Sequence, residues 1–547
     1  MTPNPQVLVV GSGPAGLVLA LTLTQNGIPI RIIEKRSEFH ESQRGAGIQV
    51  RSLELYNFLC VYNDIKAGSI PLLPICTYKL PGGREAASLN ALAPTVDATP
   101  DIPFPNPITI GQNHTESILR SHLAKLGVEV ERSTELISFQ QDQNGVTAEI
   151  IKRSSDNTET RETAHFDFLV GADGARGVTR KQLGLTFLGE STPNHVLIGD
   201  VFVKGLSREV WHNFRPSEKE MLLFRPTETE GLFYVILSSA NIEDYPKISA
   251  NKENLQEFVN RMTTRDDIII ERIKALDEYS PSIRMVDKFG EGRIFVVGDA
   301  AHVHSPAGGQ GLNTSIQDSF NLGWKLSLVC KKLSPSSILD TYSDERLPVI
   351  QDMLAKTTEI LRKILKKNWD RPTSLNQLRV NCRWSHILVD EQVEDHEGAK
   401  AIARDAYGSE TDDQLRAGDR APDAPDLVNI KSNEKTSFFS VFRPIYHTAL
   451  LFNPPSTELP SILETFATWP TGAVKVVLIL PKGGNVAKDV LQDVLVLEDR
   501  EGHAYQSYKQ MADGGFPVVI IRPDGVIGGI AKGAEGVKVY HNKLFSA

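Results

Sequence analysis

The chain has 547 residues, too many for one ordinary domain and enough for two or three with substantial cores. With 59 basic against 68 acidic residues its net charge is -9, and no basic run or patterned basic helix follows a phosphate backbone, so nucleic acid is excluded as a partner. No uninterrupted apolar run reaches the ~20 residues that span a bilayer, and Cys60, Cys76, Cys330 and Cys382 form neither a CxxC pair nor a metal-ligand pattern, so neither a membrane segment, a metal nor an internal disulfide relay is expected.

In chain order, the first predicted elements are an apolar strand, Val7 to Val10, and an apolar helix from about Leu17, joined by Gly11-Ser12-Gly13-Pro14-Ala15-Gly16. This is the pattern of a dinucleotide cradle. Its first glycine permits the turn, its second lets backbone approach a pyrophosphate, and its third lets helix and strand pack. The second predicted strand, Ile28 to Ile33, ends in Glu34, where a carboxylate can accept both hydroxyls of an adenosine ribose. The cradle alone leaves open whether the dinucleotide carries nicotinamide or flavin. The stretch Val7 to Leu23 lacks a basic leader and is interrupted by glycine and proline, so it reads as a folded element, not a signal peptide, and the cytoplasm is the expected location.

Arg51 to Leu59 is predicted helical and about Leu80 to Pro107 a proline- and alanine-rich loop. His114 to Leu126 has helical periodicity, and Val128 to Ile151 alternates like short strands around a turn at Asn144-Gly145. The buried strand Asp167 to Val170 delivers Gly171-Ala172-Asp173-Gly174 into another turn. From about Thr186 to Arg284, strand-like runs such as Val196 to Val203 and Met221 to Phe224, then a helical stretch from Asn254 to Leu276, predict an inserted antiparallel sheet. A last buried strand, Ile294 to Val297, ends in Gly298-Asp299-Ala300-Ala301-His302, and a long helix runs from about Gly311 to Leu333. Tyr342 to Lys367 stays helical, and Pro372 to Gln414 reads as a connector. Beyond Arg416, segments such as Ala449 to Phe452, Val474 to Leu480 and Val518 to Ile521 predict a separate α/β domain.

Three motifs therefore stand in order: the Gly11 to Gly16 cradle, the Asp173-Gly174 turn, and Gly298-Asp299 leading into Ser305-Pro306-Ala307-Gly308-Gly309-Gln310-Gly311-Leu312-Asn313. Together they resemble the single-component FAD-dependent aromatic hydroxylases, the class A flavoprotein monooxygenases, over about residues 5 to 365. The tail, with Arg416-Ala417-Gly418-Asp419-Arg420-Ala421-Pro422 and Ile521-Arg522-Pro523-Asp524-Gly525, resembles the thioredoxin-like domain of the phenol hydroxylase group. The resemblance implies an α/β architecture: a Rossmann-like FAD-binding domain split between 1–185 and 285–370, an inserted substrate-binding sheet over 186–284, a connector over 371–415, and a thioredoxin-like domain over 416–547. It also implies a homodimer.

For the cofactor site, the resemblance implies FAD held by the cradle residues together with Glu34 and its neighbour Lys35, Arg44, Gln112, Asp173, Asp299, Pro306, Gly309, Gly311, Leu312 and Asn313. Asp299 ends a buried strand where it can accept from ribityl hydroxyls, with helix capping as the structural alternative. The glycine-rich start of the next helix can face the flavin N1/O2 edge with its positive dipole end. A guanidinium at Arg44 suits a pyrophosphate, and Asp173 is either a ligand of FAD and NADPH or a turn former. His302 and His304 are read as packing residues, not as bases.

The implied chemistry is the flavin's: NADPH or NADH reduces it, O2 adds to give a C4a-hydroperoxyflavin, and an electron-rich phenolic ring takes one oxygen. Relatives carry an acid immediately before the glycine corresponding to Gly47; this chain has Ala46, so the group that activates the phenol, and with it the catalytic residue, is unassigned. The hairpin Met221 to Leu237 resembles the one lining the pocket of 4-hydroxybenzoate hydroxylase. Phe224 and Tyr234 are candidate pocket residues or plain core, and Arg225 leaves acidic substrates open. Oxidative decarboxylation of a substituted 4-hydroxybenzoate, epoxidation of an alkene, and a non-catalytic flavin scaffold are the alternatives.

Overall fold

The computed structural model describes residues 4–545, apart from 157, 192–194, 218, 240, 281, 305–307, 366–372, 394–404, 409–413, 486–493, 510–514 and 516. The first strand, Val7–Val10, is wholly buried and lies at the centre of a parallel arrangement. Ile30–Ile33 flanks it on one side; on the other come Phe168–Gly171 and then Ile294–Val296, with Gly290–Glu291 closing the edge antiparallel. Strands from far downstream, Phe168–Gly171 and Ile294–Val296, thus return beside the first, which brings the cradle, Asp173 and Asp299 to the same, C-terminal, end of the sheet. That end is where open parallel sheets bind ligands.

Both faces of this sheet are covered, as a parallel sheet requires. One packs on the helices Pro14–Gln25 and Gly311–Cys330, which approach closely: a Cβ on Gly323 would sit 2.8 Å from Thr22 Cγ2. Ser319 Oγ also donates to the Ala15 carbonyl across this contact at 2.8 Å. The other face packs on three antiparallel strands, Thr134–Gln141, Val146–Arg153 and Glu159–Phe166, through a core that includes Leu8, Val10, Ile150 and Phe166.

The substrate-side sheet has seven strands, and its order corrects two sequence expectations. Five strands come from Val196–Lys204, Trp211–Phe214, Met221–Pro226, Leu232–Ser238 and Ile269–Tyr279; the other two are Ile75–Tyr78, just before the expected loop, and Ala86–Asn90, within it. Ile75–Tyr78 pairs parallel to Trp211–Phe214, so the sheet is not purely antiparallel. The helix expected to reach Leu276 instead runs Lys252–Thr263, capped by the Asn251 side chain and ended by Thr264 in the left-handed region at φ 55°. Ile268, Ile269 and Ile270 then favour an extended chain because β-branched side chains lose rotamer freedom in a helix. Their spacing continues the helical period of Leu255, Val259 and Met262, which is why the strand Ile269–Tyr279 was hidden.

The tail forms an eight-stranded sheet with His447–Phe452, Val474–Pro481 and Leu495–Asp499 parallel, and Val518–Ile521 and Ile527–Ala531 antiparallel on the far side. Val389–Asp390, from the expected connector, pairs with Ile527–Ala531 and so belongs to this sheet. The tail is welded to the rest by buried charge. Arg420 holds Glu54, and Arg522 holds Glu345, which also binds Lys325. Among the described residues no helix is long and apolar enough to cross a membrane, no cluster of ligand-type side chains could hold a metal ion, and all four cysteines are unbridged.

Candidate active site

The three cradle glycines have separate roles. Gly11 has φ +105°, and a Cβ there would lie 2.4 Å from the Ala172 carbonyl oxygen; a Cβ on Gly16 would lie 2.1 Å from the Gly11 carbonyl oxygen. Both hold the turn together. A Cβ on Gly13 would meet nothing within 4 Å, and Gly13 opens onto the main cavity at the start of the helix Pro14–Gln25. The space beside it is what an anionic phosphate needs to reach the helix N-terminus. Glu34 is fixed against this turn, accepting from the Ser12 N–H and Oγ at 3.1 Å each and from the Arg36 N–H at 3.1 Å.

From the cradle the cavity extends through about 1630 Å³, lined also by Ser12, Pro14, Ala15, Glu34, Lys35, Arg44, Gln112, Asp173, Asp299, Gly309, Gly311 and Leu312. Ordinary small-molecule pockets run to about 1,000 Å³, so this space suits a dinucleotide together with a second ligand. Arg44 sits at φ 37°, a strained conformation for a side-chain-bearing residue, and its guanidinium opens onto the cavity. Burial, then the neighbouring Arg36, lowers its pKa, which favours an anionic partner there. Asp299, in the single turn Gly298–Ala300, presents an exposed side chain to the cavity; desolvation by the protein around it raises its carboxyl pKa against the pull of His302 and Arg44.

Two expected cofactor residues stand elsewhere. Gly16 lies behind the turn. Asn313 is fully buried and braces the glycine-rich segments: its Oδ1 accepts from the Gln49 N–H, and its Nδ2 donates to the carbonyls of Gly47 and Gly309, each at 2.8 Å. Pro306 lies outside the described residues. Asp173 lines the cavity but also has the turn-forming role, its Oδ2 accepting from the Thr179 N–H and Oγ1 at 2.9 Å. His302 is buried against Asp318, 2.7 Å away, and Arg346 holds the other oxygen of that carboxylate at 2.8 Å, a packing role as expected.

On the substrate side, strand alternation separates the two candidates. Tyr234 faces the cavity, whereas Phe224 is fully buried on the opposite face, edge-on to Phe233 in the core over the helices. Residues two apart share a face and cross-strand partners share a face. Arg225 is the partner of Tyr234, and Leu223 the partner of Ile236; all four line the cavity, with Trp211 and Ile198 beside them. Phe224 and Tyr234 could never both have pointed into it. Starting from Tyr234, the period of two and the register would have found Arg225, Leu223 and Ile236.

This wall is tied to the cofactor side through Gln43. Its N–H donates to Asp200 Oδ2 at 3.0 Å and its Nε2 to Glu228 Oε1 at 2.8 Å. Glu228 also accepts from the Gly111 N–H at 3.0 Å and pairs with His114 Nδ1 at 2.6 Å. Burial alone would push the Glu228 carboxyl up, but these hydrogen bonds, that of His114 foremost, hold it down to about 2. The hairpin is thereby locked to the segments that carry Arg44 and Gln112.

The glycine turn, the anchored acid and the cavity-facing Asp299 are arranged as FAD requires, and residues 4–357 match the family described as FAD binding domain. The chain belongs to that family. It falls among the FAD-dependent aromatic monooxygenases of class A: it is 30% identical over 544 residues to pentachlorophenol 4-monooxygenase of Sphingobium chlorophenolicum, covering 95% of this chain and 93% of the relative. It is 32% identical over 490 residues to a flavin-dependent monooxygenase of Mycobacteroides abscessus, covering 87% and 95%. Among solved structures, aklavinone-11 hydroxylase in a ternary complex with FAD and aklavinone superposes with a TM-score of 0.79 at 21% identity over the full length of both chains. At that identity the likeness is one of fold, and it extends over the tail of this FAD-binding monooxygenase as well as its catalytic half.

Proposed function

We propose that the protein hydroxylates a phenolic aromatic substrate with NADPH or NADH and O2, using FAD held in the cavity described above. The observation that carries this reading is the continuity of that cavity from the Gly13 cradle, past Arg44 and Asp299, to the face made by Trp211, Leu223, Tyr234 and Ile236. Bound FAD supplies the reduction by NAD(P)H and the activation of O2. The protein supplies the rest. Gly13 leaves room for the pyrophosphate at a helix N-terminus, and Glu34 is held where it accepts the adenosine ribose. Asp299 would accept from the ribityl chain, and the positive end of the helix Gly311–Cys330 would favour charge developing at the N1/O2 edge. The mostly apolar substrate wall excludes water and orients a flat ring.

The tail's strand order, with three parallel strands followed by an antiparallel pair, supports the thioredoxin-like reading. Cys382 is the last cysteine of the sequence, so the tail carries no thiol for redox chemistry, and a dimer-supporting role is the one we assign it. The deciding experiment follows NADPH and NADH oxidation by the FAD-loaded protein with phenols, alkyl-substituted 4-hydroxybenzoates and non-aromatic alkenes, and weighs the products. A phenol that gains one oxygen supports hydroxylation; oxygen gain with loss of carboxyl makes it decarboxylating. Oxidation stimulated only by alkenes, or by nothing while FAD stays bound, overturns the reading.

A further inference from the structure

Arg225 is 5% exposed and sits in the apolar substrate wall with its guanidinium stacked 4.8 Å from the Tyr234 ring and 5.9 Å from that of Trp211. Among the described residues it has no ion-pair partner. Its Nη2 makes one long contact, 3.4 Å, to Gln43 Oε1, and its buried Nε has no hydrogen-bond partner. Neither nearby carboxylate pairs with it: Asp200, two strands away across Tyr234, accepts from the Gln43 N–H through Oδ2, and Glu228 is held through Oε1 by Gln43, Gly111 and His114, while Asp200 Oδ1 and Glu228 Oε2 make no hydrogen bond. A buried cation with no carboxylate in contact is costly. Burial lowers the pKa of this guanidinium, with Tyr234, Glu228 and Asp200 opposing. Such a cost is retained where a ligand supplies the missing charge, and the planar fork of arginine matches an anionic oxygen held beside an aromatic plane.

We propose that Arg225 binds an anionic oxygen on the ring system of the substrate, a carboxylate or an ionised phenol, and thereby selects for acidic aromatic compounds. This deepens the proposed function and rests on it. For an ionised phenol the same contact answers the question left by Ala46, because a guanidinium favours the phenolate form that attacks an electrophilic oxygen.

The test titrates FAD-loaded protein at neutral pH with two matched pairs, benzoate against methyl benzoate and pentafluorophenol against pentafluoroanisole, reading heat and the perturbation of the flavin spectrum. The wild type is expected to prefer at least one anion over its methyl derivative by about tenfold or more, the size of one charge-assisted hydrogen bond. Preference confined to the benzoate pair assigns a carboxylate, and preference confined to the phenol pair assigns a phenolate. In Arg225→Gln the preference is lost while the methyl derivatives bind as before; Arg225→Lys keeps part of it and carries the test if the glutamine variant fails to retain FAD. A wild type that binds methyl derivatives as tightly as anions overturns the proposal, as does an unchanged preference in Arg225→Gln, while both leave aromatic binding standing. No binding of any of the four overturns the proposal and the hydroxylase reading together.

Discussion

Arg522 and Glu345 meet across the junction between the tail and the flavin-binding half, both fully buried, with Arg522 Nη2 2.9 Å from Glu345 Oε2. Glu345 also holds Lys325 at 2.9 Å and accepts from Ser385 Oγ at 2.6 Å, while Trp324 donates to Asp524 at 3.2 Å. Burial would push the Glu345 carboxyl up, but Arg522 and Lys325 hold it far below the usual carboxylate range. Removing it leaves the buried Lys325 without its carboxylate and Arg522 with Asp524 alone. Glu345→Gln is expected to cost about 3–5 kcal/mol, read as a lower denaturant midpoint. A depressed pKa stabilises above the unfolded value and loses that stabilisation as pH falls, so the wild type should weaken progressively below about pH 4.3. A Glu345→Gln variant as stable as the wild type would show that the junction does not depend on this pair.

The cradle glycines separate folding from cofactor affinity. Gly11→Ala and Gly16→Ala force contacts of 2.4 and 2.1 Å with backbone oxygens and should give little folded protein. Gly13→Ala has space for its methyl and should fold normally, yet lose FAD affinity by roughly tenfold or more, about 1.4 kcal/mol, because the methyl occupies the approach of the phosphate. The flavin-to-protein absorbance ratio after gel filtration distinguishes them; full FAD retention in Gly13→Ala would count against a pyrophosphate beside this residue.

Phe224 and Ile236 should fail differently. Phe224→Ala opens a hole in the core over the helices and is expected to cost about 3–5 kcal/mol of stability, with the KM for the phenol unchanged. Ile236→Ala, on the cavity face, should raise KM with a smaller loss of stability. Melting temperatures and steady-state kinetics on both variants decide it; a KM effect confined to Phe224→Ala would reverse the assignment of faces.

The Glu228–His114 pair predicts a two-sided pH dependence. The Glu228 carboxyl, held down to about 2, contributes fully above its ordinary 4.5 and loses that contribution as pH falls between those values. His114, whose pKa is raised above 6.5 chiefly by its hydrogen bond to Glu228, contributes fully below 6.5 and less as pH rises through its raised value. The difference in melting temperature between wild type and Glu228→Gln should therefore peak near pH 5–6. A difference that is flat from about pH 3 to about pH 9 would mean that the pair does not lock the hairpin.

The cofactor side was largely legible in the sequence because each of its signals is local: a strand, a glycine turn and a helix are adjacent in the chain, and glycine spacing states where backbone must come close. Asn313 shows the limit of such local signals: proximity to a glycine-rich turn does not say whether a side chain faces the ligand or braces the loop, and its side chain braces. The substrate side was less readable. Facing is decided there by a register between strands, and a one-residue error exchanges core for pocket, as Phe224 shows. The Ile269–Tyr279 strand was missed because its apolar positions happen to continue a helical period, and Ala86–Asn90 because a fully exposed edge strand has no alternation to detect. The motifs Arg416 to Pro422 and Ile521 to Gly525 were noticed as signatures of the tail; the structure gives them a physical reason, since Arg420 and Arg522 grip Glu54 and Glu345 across the junction.

The seven-stranded sheet takes five strands from residues 196–279 and two from 75–90. Anyone grafting the specificity of one relative onto another by exchanging the inserted stretch alone would therefore cut the fabric along a line that the fold does not recognise. Trp211–Phe214 would be asked to pair with a foreign Ile75–Tyr78, and Leu72 and Leu92, which flank those two strands and line the same cavity, would remain behind with the old host. The transferable cassette is discontinuous: a productive chimaera carries both segments, together with Gln43, which bonds Asp200 and Glu228 of the longer one.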